Sequence, residues 1–303
     1  MAQTVPIVSG SRTLGSKLRG FVALTKPRII ELLLVTTLPT MVVAHRGLPS
    51  GWLVLATLIG GTLSAGGANA TNMFLDRDID AIMKRTSKRP LVTGVVTPAE
   101  SIAFACVLEA AAFLVLWRYV NLISAVLALS AALFYVFVYT ILLKRRSAQN
   151  IVIGGAAGAV PVLVGWTAVT GRIAWAPVVL FALIVIWTPS HFWALAVKYR
   201  DDYAAAHVPM LPAVASFDRV SREIIAYSVA LVGVSLLFAA VAHMGVVFWS
   251  VALVAGGFYV GDALRLRRDG GSVKSAMRLF KYSITYLTVI FVAMAVDVLV
   301  RSR

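Results

Sequence analysis

Long uncharged stretches alternate with short, strongly basic ones along the whole chain. Stretches uncharged or nearly so cover about residues 29–45, 52–75, 101–117, 119–143, 150–171, 173–197, 224–243, 246–264 and 282–300. Each comes near the roughly 20 apolar residues that a helix needs to cross a bilayer. A chain in hydrocarbon must satisfy its own backbone hydrogen bonds, so helices are the form expected there. The pattern predicts an all-α polytopic membrane protein with nine transmembrane helices. Within it, residues 224–264 read as two helices joined by a tight external turn at Ala242, His243, Met244 and Gly245.

The longest polar connections, about 77–98, 198–222 and 265–281, leave no room for a soluble domain. The expected organisation is a basic tail over residues 1–28 and a single transmembrane domain over 29–303. Spans 2 and 6 share a design, in which an apolar helix runs into acids and then a basic loop, and this suggests an internal repeat with paired half-sites. Glycines cluster in span 2 (Gly60, Gly61, Gly66, Gly67) and span 5 (Gly154, Gly155, Gly158, Gly165). Close helix packing is the expected reason. No strand precedes Gly154-Gly155 and no Lys-Ser/Thr pair follows, so they are not read as a phosphate loop.

Composition fits this picture, with 60% hydrophobic and 14% charged residues in 303. A net charge of +15 would suit nucleic acid, but the positions of the bases argue otherwise. On nine spans, 23 of the 28 lysines and arginines fall on one side, leaving Arg46, Arg118, Arg172, Arg301 and Arg303 opposite. The positive-inside bias puts the N-terminus in the cytoplasm and the C-terminus outside, in a bacterial inner membrane or its mitochondrial counterpart. No nucleic-acid partner is expected; anionic lipid and an anionic substrate are. Cys106 lies within span 3, so no disulfide framework exists, and residues 1–28 lack the apolar core of a secretory signal.

The chemistry concentrates where 29 uncharged residues, 47–75, give way to Asp76, Asp78 and Asp80. Carboxylates at a membrane helix end are costly to desolvate and mark functional sites by default. If span 2 continues to about residue 82, the spacing i, i+4, i+8 puts Asn72, Asp76 and Asp80 on one face and turns Asp78 away. Hard oxygen donors in such a row suit Mg²⁺, which takes few carboxylates and completes its shell with water and substrate phosphate. Arg85, Arg89, Lys144 and Arg145 are the bases expected to bind a diphosphate and stabilise it as a leaving group. Ordinary ion pairing and topology signalling are the alternative for each.

Span 6 carries the second half-site: Trp187, Pro189, His191, Phe192, Trp193, Lys198, Asp201 and Asp202. His191 inside hydrocarbon reads as a proton carrier, an iron ligand or a hydrogen-bonded packing residue. Asp202 is a candidate fourth metal ligand, and Lys198 a candidate partner of it or of phosphate. His191, Trp193 and Tyr139 are candidates for an acceptor cavity, where aromatic faces would stabilise a carbocation. His45, His207 and His243 read as surface residues. Glu31 and Glu109 fall within spans without an assignable role.

Asn72, Asp76, Asp80, Lys84, Arg85, Thr86, Arg89, Pro90 and Leu91, in this spacing, resemble the first signature of the UbiA-type intramembrane prenyltransferases. Leu24 to Arg28, Tyr139 with Lys144, Asn150 to Ala159, Trp187 to Ala196 and Asp202 to Pro212 are similar to its haem-farnesylating branch. The resemblance implies nine helices around a central cavity, Mg²⁺ as cofactor, and Asp76, Asp80, Lys198 and His191 as catalytic candidates. It also implies transfer of farnesyl from farnesyl diphosphate, with addition of water, to a vinyl group of haem B. The product, haem O, would serve terminal oxidases, with a haem-handling enzyme as partner. The usual second aspartate-rich motif is altered here, because His191 and Lys198 stand where upstream aspartates are expected. A phenolic or quinone-precursor acceptor is the alternative within the family, and a membrane transporter the alternative outside it.

Overall fold

Thr13 opens the first helix: its side chain accepts a hydrogen bond from the Ser16 amide at 3.2 Å, the usual satisfaction of an orphan N-terminal N–H. The computed structural model describes residues 13–301, apart from the side chains of Arg28, Ile29, Leu32, Leu33 and Leu34. Arg12, the Arg28 side chain and Arg303 therefore lie outside the described residues. The first helix, α1 (Leu14–Leu24), exposes Leu14, Leu18 and Val22 at i, i+4, i+8 and buries Leu24. Such an apolar stripe suits a helix lying in a membrane interface. Residues 1–28 read from sequence as a tail because an 11-residue helix is too short to register as a span.

The remaining helices are α2 (Pro27–His45), α3 (Gly51–Leu75), α4 (Arg77–Ile82), α5 (Pro98–Tyr119), α6 (Leu122–Leu133), α7 (Asn150–Thr170), α8 (Trp175–Lys198), α9 (Arg200–Ala205), α10 (Leu211–Val214), α11 (Phe217–Val241), α12 (Val246–Arg268) and α13 (Val273–Arg301). A π-helical segment, Phe134–Leu143, continues α6. Among the described residues, eight helices are long and apolar enough to cross a membrane, α6 and the π segment counting as one. The ninth, α2, carries an apolar stretch over Val35–His45 among the described residues.

Each spanning helix packs against the next in chain order, and α13 packs back on α2, closing a ring of nine. Small residues permit the closest approaches. A Cβ on Gly165 of α7 would stand 2.9 Å from the Thr37 carbonyl of α2, so the span-5 glycines act in helix packing, at least at this crossing. The α11–α12 turn lies at residues 242–245, with His243 at φ 53°. Asp297 of α13 is buried and caps the start of α12, accepting from the amides of Gly245 (2.5 Å) and Phe248 (3.2 Å). Asp297→Ala leaves two amides unsatisfied and is expected to cost about 2–3 kcal/mol. Thermal unfolding in detergent reads this as a lower Tm with farnesyl diphosphate binding retained below the transition.

Spans 2 and 6 end alike. Each is followed by a six-residue helix with two acids in its first turn, Asp78 and Asp80 in α4, Asp201 and Asp202 in α9.

Candidate functional site

The polar site forms where α3 runs into α4. Asp76 breaks the α-helical angles at φ −90°, ψ 1°, yet Asp76 N bonds Asn72 O at 2.9 Å and Asp80 N bonds Asp76 O at 2.8 Å. These bonds carry the i, i+4, i+8 register across the joint. Asn72, Asp76 and Asp80 are all buried, whereas Asp78 points out and takes two 2.6 Å hydrogen bonds from the Arg145 guanidinium. Those bonds hold the Asp78 carboxyl below its ordinary range.

Three cations converge on the buried row. Lys144 Nζ donates to Asp76 Oδ2, Arg89 Nη1 donates to Asp80 Oδ2 at 2.5 Å, and Lys26 Nζ donates to Asn72 Oδ1 at 2.8 Å. Asn72 Nδ2 donates to Asp76 Oδ2 at 2.8 Å and to Thr140 Oγ1 at 3.0 Å. Lys26 sits before Pro27 in left-handed backbone (φ 53°), which turns the chain from α1 into α2. Burial, reinforced by the facing charges of Arg89 and Lys144, pulls its ammonium down to about 7.

The π segment positions the opposite wall. Thr140 Oγ1 donates to Tyr135 O, five residues back, at 2.8 Å, and Lys144 N bonds Tyr139 O at 2.8 Å, also five back. Widened turns of this kind recur at functional sites; here one brings Thr140 onto Asn72 and Lys144 onto Asp76. Tyr139 stacks on Tyr135 at 5.3 Å between ring centroids. It also lies over Gly154, where a Cβ would stand 2.3 Å from the ring.

Other sequence candidates lie elsewhere. Arg145 is exposed and turned to Asp78, 4.0 Å from Asp76 Oδ1. Arg85 is exposed, with its guanidinium 5.6 Å from the Tyr199 ring. Asp202 does not join the buried row; its Oδ2 accepts from the Arg85 amide at 3.4 Å. Lys198 is exposed, its ammonium 5.4 Å from the Tyr199 ring centroid, with no ion pair among the described residues. Trp193 is fully buried, its Nε1 unpartnered, edge-on to Tyr227. His191 lies in α8 and bonds Ser283. His45, His207 and His243 are exposed and Glu31 likewise. Glu109 accepts from Ser64 at 3.2 Å between α5 and α3.

Sequence reasoning missed Lys26 and Thr140. Both lie inside the family-like segments 24–28 and 139–144, Lys26 before a helix-opening proline and Thr140 beside Tyr139, but only the folded ring brings them to Asn72.

Among the described residues, no three His, Cys, Asp or Glu side chains gather closely enough to form a metal site by themselves. The donors nonetheless fit Mg²⁺ held jointly with phosphate. Asp76 Oδ1 is a buried oxygen without a hydrogen-bond partner, and Asp80 uses only Oδ2 in its pair with Arg89. Two carboxylates with a spare oxygen each, beside Asn72, suit an ion that takes few protein ligands. Arg89 and Lys144 match Asp76 and Asp80 in charge, and Lys26 adds a third donor that an arriving anion would hold protonated, so the cluster can take an anion.

The model of the UbiA prenyltransferase family matches residues 33–285. A Streptomyces avermitilis protein named protoheme IX farnesyltransferase is 54% identical over 298 residues, covering 96% of this chain and 97% of its own. A Frankia alni protein of the same name is 53% identical over 289 residues, 95% and 100% of the two chains. Among solved structures, one concerned with digeranylgeranylglyceryl phosphate synthase in membranes superposes with a TM-score of 0.76 at 16% identity, over 93% of this chain and 98% of that one. A UbiA homologue from Archaeoglobus fulgidus bound to GPP and Mg²⁺ gives 0.60 at 15% identity, over 91% and 99%.

Proposed function

Since the chain belongs to the UbiA prenyltransferase family, we propose that it transfers farnesyl from farnesyl diphosphate to a vinyl group of haem B, with addition of water. Its relatives' shared name, at more than half identity over nearly the whole chain, supports this donor and acceptor. The diphosphate chemistry is carried by one observation: a buried Asp76 with an unpartnered Oδ1, in a row of oxygens met by Lys26, Arg89 and Lys144.

Asn72, Asp76 and Asp80 would hold Mg²⁺ together with the diphosphate. When bound, the ion supplies Lewis-acid neutralisation of the charge gathering on the leaving group. The chain's own cations do the rest of the electrostatic work. As the diphosphate enters, Lys144, Arg89 and Lys26 exchange their carboxylate and amide partners for phosphate oxygens. These cations are held in place beforehand, which is how preorganised charge lowers a barrier. The allylic C–O bond then breaks, its electron pair leaving with diphosphate. Tyr139 is covered by Tyr135 and by Gly154, so Tyr135 is the ring of the pair that would offer a π face to the cation left behind. The haem vinyl group attacks it, and water adds to the resulting cation beside the porphyrin, losing one proton. The basic end of the bundle faces the cytoplasm, with the N-terminus inside and the C-terminus outside a bacterial inner membrane.

Detergent-solubilised protein, with both substrates and no gradient, is expected to release diphosphate with Mg²⁺ and to lose that activity by at least about a hundredfold in EDTA, with recovery on re-addition. Undiminished release in EDTA would remove the metal from the account.

A further inference from the structure

His191 is the one histidine of four placed within the helical ring; the others sit at exposed turns or helix ends. Its ring is clamped on both faces. Trp187 stacks at 4.1 Å and 17° on one contact, and Phe280 of α13 at 4.7 Å and 28° on the other. Its Nδ1 lies 2.6 Å from Ser283 Oγ. Ser283 is fully buried, and its hydroxyl proton is directed to the Phe280 carbonyl at 2.7 Å. Ser283 Oγ is therefore the acceptor, and Nδ1 carries the hydrogen. Trp187 Nε1 in turn donates to Ser283 O at 2.9 Å, tying the stacking partner to the same turn of α13.

This arrangement leaves one functional atom, Nε2, with an in-plane lone pair. It has no hydrogen-bond partner among the described residues, and the His191 side chain is only partly buried. Face stacking does not obstruct an in-plane lone pair. An imidazole with Nδ1–H held by an oxygen and Nε2 open is the form in which histidine binds metals, the distal hydrogen bond fixing tautomer and ring orientation. A packing histidine does not require a free, reachable Nε2.

We propose that His191 Nε2 is the axial ligand by which this chain holds the iron of its haem substrate, with Ser283, Trp187 and Phe280 as positioning residues. The proposal rests on the reading above that haem B is the acceptor. His191 is seven residues inward of Lys198, the end of α8, so the iron would sit about 10 Å deeper than the helix end. The ligand fixes the porphyrin's place relative to the diphosphate row, which selects an iron porphyrin over a flat phenolic acceptor.

The test is titration of the detergent-purified full chain with haem B, read by absorbance and by the iron–histidine stretch of the ferrous form in resonance Raman. Wild type is expected to show the histidine signature. His191→Ala should lose it and bind haem about tenfold or more weakly, with added imidazole restoring the signature. His191→Met, a second variant that keeps a side chain in the clamp, should replace the nitrogen signature with that of a thioether. Ser283→Ala should retain ligation but shift the stretch. Farnesyl diphosphate binding by every variant reports folding. If wild type farnesylates haem while His191→Ala and His191→Met show its spectrum and affinity unchanged, His191 is a packing residue and the proposal is overturned. If wild type releases diphosphate on another acceptor and never binds haem, the acceptor reading falls and this one with it.

Discussion

Asp76→Asn is expected to lower kcat/KM for farnesyl diphosphate about a thousandfold, a loss of about 4 kcal/mol of transition-state stabilisation. The substitution is nearly isosteric and keeps a polar group at the α3–α4 joint, so the ring should still close. It removes the negative charge that anchors Lys144 and the unpartnered Oδ1 available to a metal. The loss should appear in kcat as well as KM, because that oxygen helps hold the charge that develops on the departing diphosphate. Steady-state kinetics at saturating Mg²⁺ decide it. A variant within tenfold of wild type would show that Asp76 is only structural.

Lys144→Met should be the second most damaging change and the more destabilising one. Asp76 is fully buried and Lys144 is 14% exposed. Breaking one partner of a buried pair leaves an uncompensated charge and costs about 3–5 kcal/mol, a fall in Tm on the order of 5–10 °C. Activity should fall at least about a hundredfold with it. The double variant Asp76→Asn/Lys144→Met distinguishes the two effects: with no charge left unpaired, it should recover most of the lost Tm and none of the activity. A double variant as unstable as Lys144→Met alone would mean that the pair does not govern stability here.

The spans were legible because hydrocarbon forces backbone satisfaction and excludes charge, so apolar length alone located all nine helices. Their ends were less so. Span 9 reads from about residue 282, but α13 begins at Val273, since Lys274, Arg278 and Lys281 continue the helix beyond its apolar part. Span 7 reads from 224, whereas α11 starts at Phe217 behind the Ser216 cap. Neither α1 nor the π segment carries a composition that marks it.

In the site, local spacing was informative and distance was not. The register of Asn72, Asp76 and Asp80 follows from helical period, and so does the outward turn of Asp78. Which bases meet them depends on how α6, α1 and the 83–97 loop return to α3. Lys144 and Arg89 arrive at the row, Arg145 turns to Asp78, and Arg85 lies near Asp202 and Tyr199. Lys26 comes in from the start of α2, a position that a tail on the basic side gives no reason to single out. His191 was visible as an anomaly in hydrocarbon, but its tautomer follows from Ser283, 92 residues away.

The central claim is a transfer of farnesyl to haem, and the mass of the pigment tests it most directly. Purified protein incubated with haem B, farnesyl diphosphate and Mg²⁺ is expected to yield a haem heavier by farnesyl plus water, absent with Asp76→Asn. Unmodified haem from folded wild-type protein that still consumes farnesyl diphosphate on a phenolic acceptor would contradict it.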